Sequence, residues 1–225
     1  MIYLYAITGP LTEPPEEQGL AGAPLETVGV GSLTAVYSSH EQLELRPDVE
    51  SAWAHEHAVE AVMSSQTVLP ARFGTTFPGL DELRDALIPH ADALERRLEE
   101  LEGCVELAVR IDPLIPIDGQ MADGRQYLME KLFAQRRREA LAESALACLM
   151  EFAVASRVAP TPSSGETVSI SYLVQTREVR RFSRAVARLQ TRWPEFALSC
   201  TGPWAPYSFV TDEPALSTST EAEIA

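Results

Sequence analysis

The stretch at residues 168–201, VSISYLVQTREVRRFSRAVARLQTRWPEFALSCT, decides the fold class of the chain. Its opening, residues 168–174, is rich in β-branched and aromatic side chains and reads as a strand. The period then changes. Over residues 178–192, Val179, Phe182, Val186 and Leu189 fall three or four apart, which is one apolar stripe on a helix whose remaining surface is mostly arginine. Residues 196–201 read as a second strand, closed by a turn through Gly202, Pro203 and Pro206.

Upstream, residues 124–156 contain no proline and no glycine after the first position. Leu128, Leu132, Leu141, Ala145, Cys148, Leu149 and Phe152 mostly fall three or four apart, which predicts one helix about 48 Å long. Before it, Val105, Leu107 and Val109 alternate with Glu106, Ala108 and Arg110, so residues 104–111 predict a strand. Pro113, Pro116 and Gly119 make residues 112–123 a connection and a domain border. Residues 207–210 are expected to add an edge strand, and the polar, acidic residues 211–225 a disordered tail. The expectation for residues 113–210 is a modified ferredoxin-like α/β sandwich containing a long helix, with one ideal strand missing or displaced. The strand at 104–111 can belong to it.

Residues 1–112 form the other expected domain. Residues 2–7 predict a buried strand, residues 25–30 and 32–37 a hairpin, and residues 67–71 a further strand. Asp48 caps a helix reaching about Ser64. Residues 81–102 predict a helix kinked at Pro89 and stopped by Gly103. Both domains are α+β.

The formal net charge is −15, from 33 acids and 18 bases, which disfavours a generic nucleic-acid binder. It is unevenly placed: residues 1–124 carry −16, residues 125–192 carry +6 and residues 193–225 carry −5. Two unlike surfaces are expected. Cys104, Cys148 and Cys200 lie far apart without a C-x-x-C, which fits a reducing cytoplasm better than a disulfide framework. No run approaches the ~18 apolar residues of a membrane span, so no membrane insertion is expected.

No catalytic constellation, cofactor motif or metal motif stands out. His55 and His57 are two residues apart, which on a helix points them to nearly opposite sides, so they cannot chelate one ion. Val49, Trp53, Glu56, Glu60 and Met63 share a broad helix face. Glu56 and Glu60 there suit pairing with Arg72 or Arg84; an enzyme would need Glu56, Glu60 and Arg72 to line one pocket. The run Arg136, Arg137 and Arg138 spreads around the long helix as a solvated face or as a surface for an acidic protein partner. Arg177, Arg180, Arg181, Arg184, Arg188 and Arg192 make a second basic helix. Two segments are unusual: Arg72 and Phe73 beside Gly74, and Trp204, Tyr207 and Phe209 around Pro203 and Pro206. The prolines stiffen the second segment, so its rings either seal the core or present an apolar surface. The candidate partner-binding residues are Arg72, Phe73, Arg136, Arg137, Trp204 and Tyr207.

These segments resemble the hallmark stretches of the gas vesicle protein L/F family. LPARFGTTF at residues 69–77 is similar to its mid-chain Arg-Phe-Gly motif, and TGPWAPYSFV at residues 201–210 to its C-terminal Gly-Pro-Trp motif. Tyr3-Leu4-Tyr5, the His55 helix, Gly124-Arg125-Gln126-Tyr127-Leu128, and Tyr172-Leu173-Val174 followed by Phe182 match in the same order. Ala71 and Ala205 depart from the usual pattern at single positions. The resemblance implies two α+β domains, the C-terminal one ferredoxin-like, and a non-enzymatic accessory protein of gas vesicle assembly with no cofactor. It implies as partners the small hydrophobic shell protein, gas vesicle protein A, and other accessory gas vesicle proteins, in the cytoplasm and associated with gas vesicles. A minor structural component of the vesicle wall is the alternative. The residues fix no oligomeric state.

Overall fold

Seven consecutive buried residues, Ile2–Thr8, form the strand β1 at the centre of the first sheet. The structure is a computed structural model that describes residues 1–43, 45, 47–113, 124–158 and 167–210. The rest of the expected 112–123 connection, the 160–165 loop and the 211–225 tail lie outside the described residues. The hairpin of β2 (Glu26–Val30) and β3 (Leu33–Ser39) pairs with β1 on one side, and β4 (Val68–Pro70) and β5 (Thr76–Phe77) pair with it on the other, all antiparallel.

The helix α1 (Val49–Met63) starts where Asp48 accepts the Ser51 N–H at 2.8 Å. Its buried stripe is His55, Ala58, Val59 and Val62, against β1 and β4. This corrects the expected face: Val49 is 73% and Trp53 55% exposed, and Glu60 is exposed too. The reason is size, since a stripe of Ala and Val lets the helix lie close to the sheet while Trp53 and Glu60 stay in water. Pro89 sits in one 3-10 turn, Ile88–His90, between α2 (Leu80–Leu87) and α3 (Ala91–Glu100), so the expected kink is a break into two helices.

The described residues divide into two compact units, Met1–Cys104 with residues 205–210, and Val105–Trp204. The expected border at residues 112/113 thus moves to 104/105. The cause is pairing: β6 (Cys104–Pro113) is bonded antiparallel along β9 (Phe196–Trp204), so it belongs to the second sheet. Ala205 and Phe209 are buried, and Ala205 lies in the same apolar cluster as Tyr3, Tyr5 and Val59 of the first unit. The expected edge strand at residues 207–210 is instead a single 3-10 turn, Tyr207–Phe209, because its N–H groups bond locally to Ala205 and Pro206 carbonyls.

In the second unit the elements run β6, α4 (Gly124–Leu149), β7 (Ala155–Val158), β8 (Val168–Gln175), α5 (Val179–Arg192) and β9, and the sheet order is β7-β8-β6-β9. Leu107, Val109 and Ile111 of β6 and Ile170, Tyr172 and Val174 of β8 alternate onto one face, under Leu141, Ala145 and Leu149 of α4 and Phe182, Val186 and Leu189 of α5. The expected helix to residue 156 stops at Leu149, and a 3-10 turn, Met150–Phe152, leads into β7. β7 is the strand that the sequence pattern left missing; it pairs antiparallel with β8. Gly202 has φ +111°, and a Cβ there would come 2.6 Å from the Glu106 carbonyl oxygen, so only glycine fits opposite the register slip between Glu106 and Ala108. The Gln190 side chain accepts the Leu198 N–H and donates to the Phe196 carbonyl, both at 2.7 Å, binding α5 to β9.

Candidate functional site

Tyr3 and Tyr5 lie on the same side of β1, their ring centroids 4.9 Å apart across the register shift between Leu4 and Ala6, and α1 sets His55 beside both. The His55 ring centroid lies 5.7 Å from each tyrosine, 5.8 Å from Phe73 and 6.3 Å from Tyr207. His55 Nε2 is 3.1 Å from the Ala71 carbonyl, which can only accept, so Nε2 carries the proton. Nδ1 then accepts from the Tyr3 hydroxyl at 2.9 Å, and the Tyr3 oxygen accepts the Gly74 N–H at 3.0 Å. This relay fixes both flanks of the Arg72-Phe73-Gly74 turn. Burial pushes the His55 imidazole down to about 4, so it stays neutral, and pushes the Tyr3 phenol well above its usual value.

A parallel relay serves Tyr5. Its hydroxyl accepts the Leu20 N–H at 2.7 Å and lies 2.8 Å from Ser38 Oγ, which is 2.7 Å from His40 Nε2. Tyr207 donates its hydroxyl to Glu56 Oε2 at 3.0 Å, pinning the C-terminal turn to α1. Burial and the Glu56 charge hold that phenol far above its usual range.

The structure brings together three of the six candidates in the first unit: Phe73 and Tyr207 pack on His55, and Arg72 precedes Phe73 with its side chain in water. Phe73 is half exposed, its edge against Tyr3 and His55. Glu56, Glu60 and Arg72 do not converge as an enzyme would require, since Glu56 holds Tyr207 while Glu60 and Arg72 are exposed. His55 is buried and His57 is exposed against Trp53, so the two imidazoles separate as the helical spacing dictates.

In the second unit Arg136 and Arg137 are exposed on α4, and Trp204 is exposed at the end of β9. Arg137 pairs with Glu195 and lies 6.0 Å from the Trp193 ring, so it also has a structural task. The side chain of Arg138 lies outside the described residues. Beside these arginines, Met129, Leu132 and Phe133 are exposed at spacings of three and four, one face of the N-terminal half of α4. The apolar spacing along residues 124–156 includes Leu132 but not its exposed neighbours Met129 and Phe133, and Tyr3 and Tyr5 stand out in the sequence only as part of a buried strand and of the family resemblance. The alternation of Tyr3 and Tyr5 on a buried strand was the available cue for the relay, because buried phenols need partners.

The sequence matches the family model described as Gas vesicle synthesis protein GvpL/GvpF over residues 1–114 and 118–211. The chain belongs to that family. It is 27% identical over 213 residues to gas vesicle protein F1 of Halobacterium salinarum, covering 93% of this chain and 92% of that protein. It is 26% identical over 246 residues to gas vesicle protein L of a Streptomyces species, covering 92% and 91%. The fold is similar to the crystal structure of the gas vesicle protein GvpF from Anabaena, with a TM-score of 0.81 at 20% identity, over 95% of this chain and 97% of that one. Membership of the GvpL/GvpF family places the chain in gas vesicle synthesis. Among the described residues, no helix is long and apolar enough to cross a membrane.

Proposed function

We propose that the chain is a non-enzymatic accessory protein of gas vesicle assembly that holds the small hydrophobic shell protein, gas vesicle protein A, before it enters the wall and also meets other accessory gas vesicle proteins. Family membership supports the accessory role. The observation that carries the holding role is the N-terminal half of α4. There Met129, Leu132 and Phe133 present an apolar face to water beside Arg136, while Leu141, Ala145 and Leu149 seat the other half on the sheet. A shell subunit that buries apolar area in a finished wall is prone to aggregate beforehand, and a charged partner with a small apolar face can shield it. Trp204, Phe73 and Arg72 are further exposed side chains of this binding reading. It operates in the cytoplasm at growing vesicles.

We read the second unit as a ferredoxin-like sandwich, supported by its β-α-β-β-α-β order and the strand order β7-β8-β6-β9. The test is co-purification of gas vesicle protein A with the chain, wild type against a folded Leu132→Ser/Phe133→Ser variant and a Trp204→Ala variant. Loss of the shell protein from the α4 double variant is expected. Full retention overturns the holding role of α4.

A further inference from the structure

The α5 helix buries Phe182, Val186 and Leu189 and turns Arg180, Arg184, Arg188 and Arg192 outward. These four lie on one i, i+4 line, about 6 Å apart along the axis. Like charges at that spacing disfavour a helix, and no acid alternates with them, since α5 contains no Asp or Glu. The one acid at its start, Glu178, pairs with Arg181 at 3.3 Å, leaving the line itself outside any ion pair recorded among the described residues. Next to the line, Ser183, Ala187 and Thr191 are short and exposed, and both hydroxyls bond back to their own helix at 3.0 and 3.1 Å.

We propose that the outward face of α5 docks an acidic α-helix of a partner protein, whose carboxylates recur every four residues in register with Arg180, Arg184, Arg188 and Arg192. The registry follows from shared geometry, because two helices repeat their i, i+4 rows at the same rise. Guanidinium forks favour carboxylates, and the low row of Ser183, Ala187 and Thr191 lets the second helix approach closely. A nucleic acid is the poorer fit. Its charge continues beyond the length of α5, while residues 1–124 of this chain carry −16 and repel it. The proposal rests on the accessory reading and supplies the chemistry of one of its partners.

The test uses the full chain and fluorescence anisotropy with a labelled synthetic helical peptide bearing Glu at every fourth position, against a peptide of the same composition with the glutamates scrambled. The laddered peptide is expected to bind at least about tenfold more tightly than the scrambled one, and to weaken as salt rises. Arg184→Glu/Arg188→Glu should abolish that binding, Arg184→Gln/Arg188→Gln should weaken it, and Arg96→Glu at an exposed position of α3 should leave it unchanged. Circular dichroism confirms that each variant folds, and the Gln pair serves if the Glu pair does not. Equal affinity for the scrambled peptide overturns the proposal. So does tighter binding of a single-stranded oligonucleotide, or salt-sensitive self-association that the reversal removes while peptide binding persists. Because the shell protein does not enter this assay, its failure leaves the holding role of α4 standing, and failure of the co-purification leaves the α5 result standing.

Discussion

The Tyr3 hydroxyl stands 2.9 Å from Nδ1 of His55 and joins β1 to α1 across 52 residues of sequence. The same oxygen receives the Gly74 N–H, so one phenol holds a strand, a helix and the Arg72-Phe73-Gly74 turn. Replacing Tyr3 with Phe keeps the ring and removes the oxygen. Two buried or half-buried groups then lose their partner, at a cost of about 2 kcal/mol in the unfolding free energy. Urea unfolding followed by tryptophan fluorescence reads it. An unchanged midpoint would show the relay to be dispensable.

His55 also predicts a pH dependence. Burial lowers its folded value to about 4 from an ordinary 6.5. Above 6.5 the imidazole is neutral in both states, so the stabilising difference is fully present. Between 6.5 and about 4 the unfolded chain takes the proton and the folded one does not, and stability falls with pH. The loss reaches about 3 kcal/mol across that window, at no more than ~1.4 kcal/mol per pH unit. His40, which burial also lowers, adds in the same direction. In His55→Gln the slope of unfolding free energy against pH should flatten relative to wild type; equal slopes would refute the assignment.

The Tyr207–Glu56 bond predicts how firmly the C-terminal turn is held. Tyr207→Phe should cost about 1 kcal/mol, since a half-buried carboxylate loses its donor. Tyr207→Ala should cost more, because the ring against His55 goes as well. Limited proteolysis should then cut near residue 207 sooner in the Ala variant than in wild type, and identical cleavage rates would count against the anchor.

Tyr172 makes the opposite case. Its side chain is fully buried and its hydroxyl has no hydrogen-bond partner among the described residues. Its ring packs T-shaped on Phe182, with centroids 5.0 Å apart. Tyr172→Phe keeps the packing and removes an orphaned polar atom, so stability should hold or rise by up to about 1 kcal/mol. Thermal unfolding decides it, and a clear drop in melting temperature would reveal a partner for the hydroxyl.

Local pattern carried most elements because their burial is periodic. Leu107, Val109 and Ile111 and the stripe Phe182, Val186 and Leu189 face the core as read. Elsewhere tertiary pairing outranks local preference. β7 hid at the end of a long helical pattern, since Ala155–Val158 becomes a strand only by pairing with β8. On α1 the spacing that groups Val49, Trp53 and Met63 does not mark the buried face, because the small Ala58 and Val59 allow the closer contact with the sheet. Of the candidate residues, Arg72 and Arg136 are exposed as their charge dictates, while the exposure of the aromatic Phe73 and Trp204, and the tie of Tyr207 to Glu56 across 151 residues, depend on the tertiary fold.

The return of the chain to its first unit at Ala205 sets an order for its own production. Val105–Trp204 holds its whole apolar cluster and can close as soon as it leaves the ribosome. Met1–Cys104, although translated earlier, must wait with Tyr3, Tyr5 and Val59 incompletely covered until Ala205 and Tyr207 emerge. Synthesis therefore cannot complete the first unit until the second has been translated, so the usual N-terminal-first sequence does not apply to this chain.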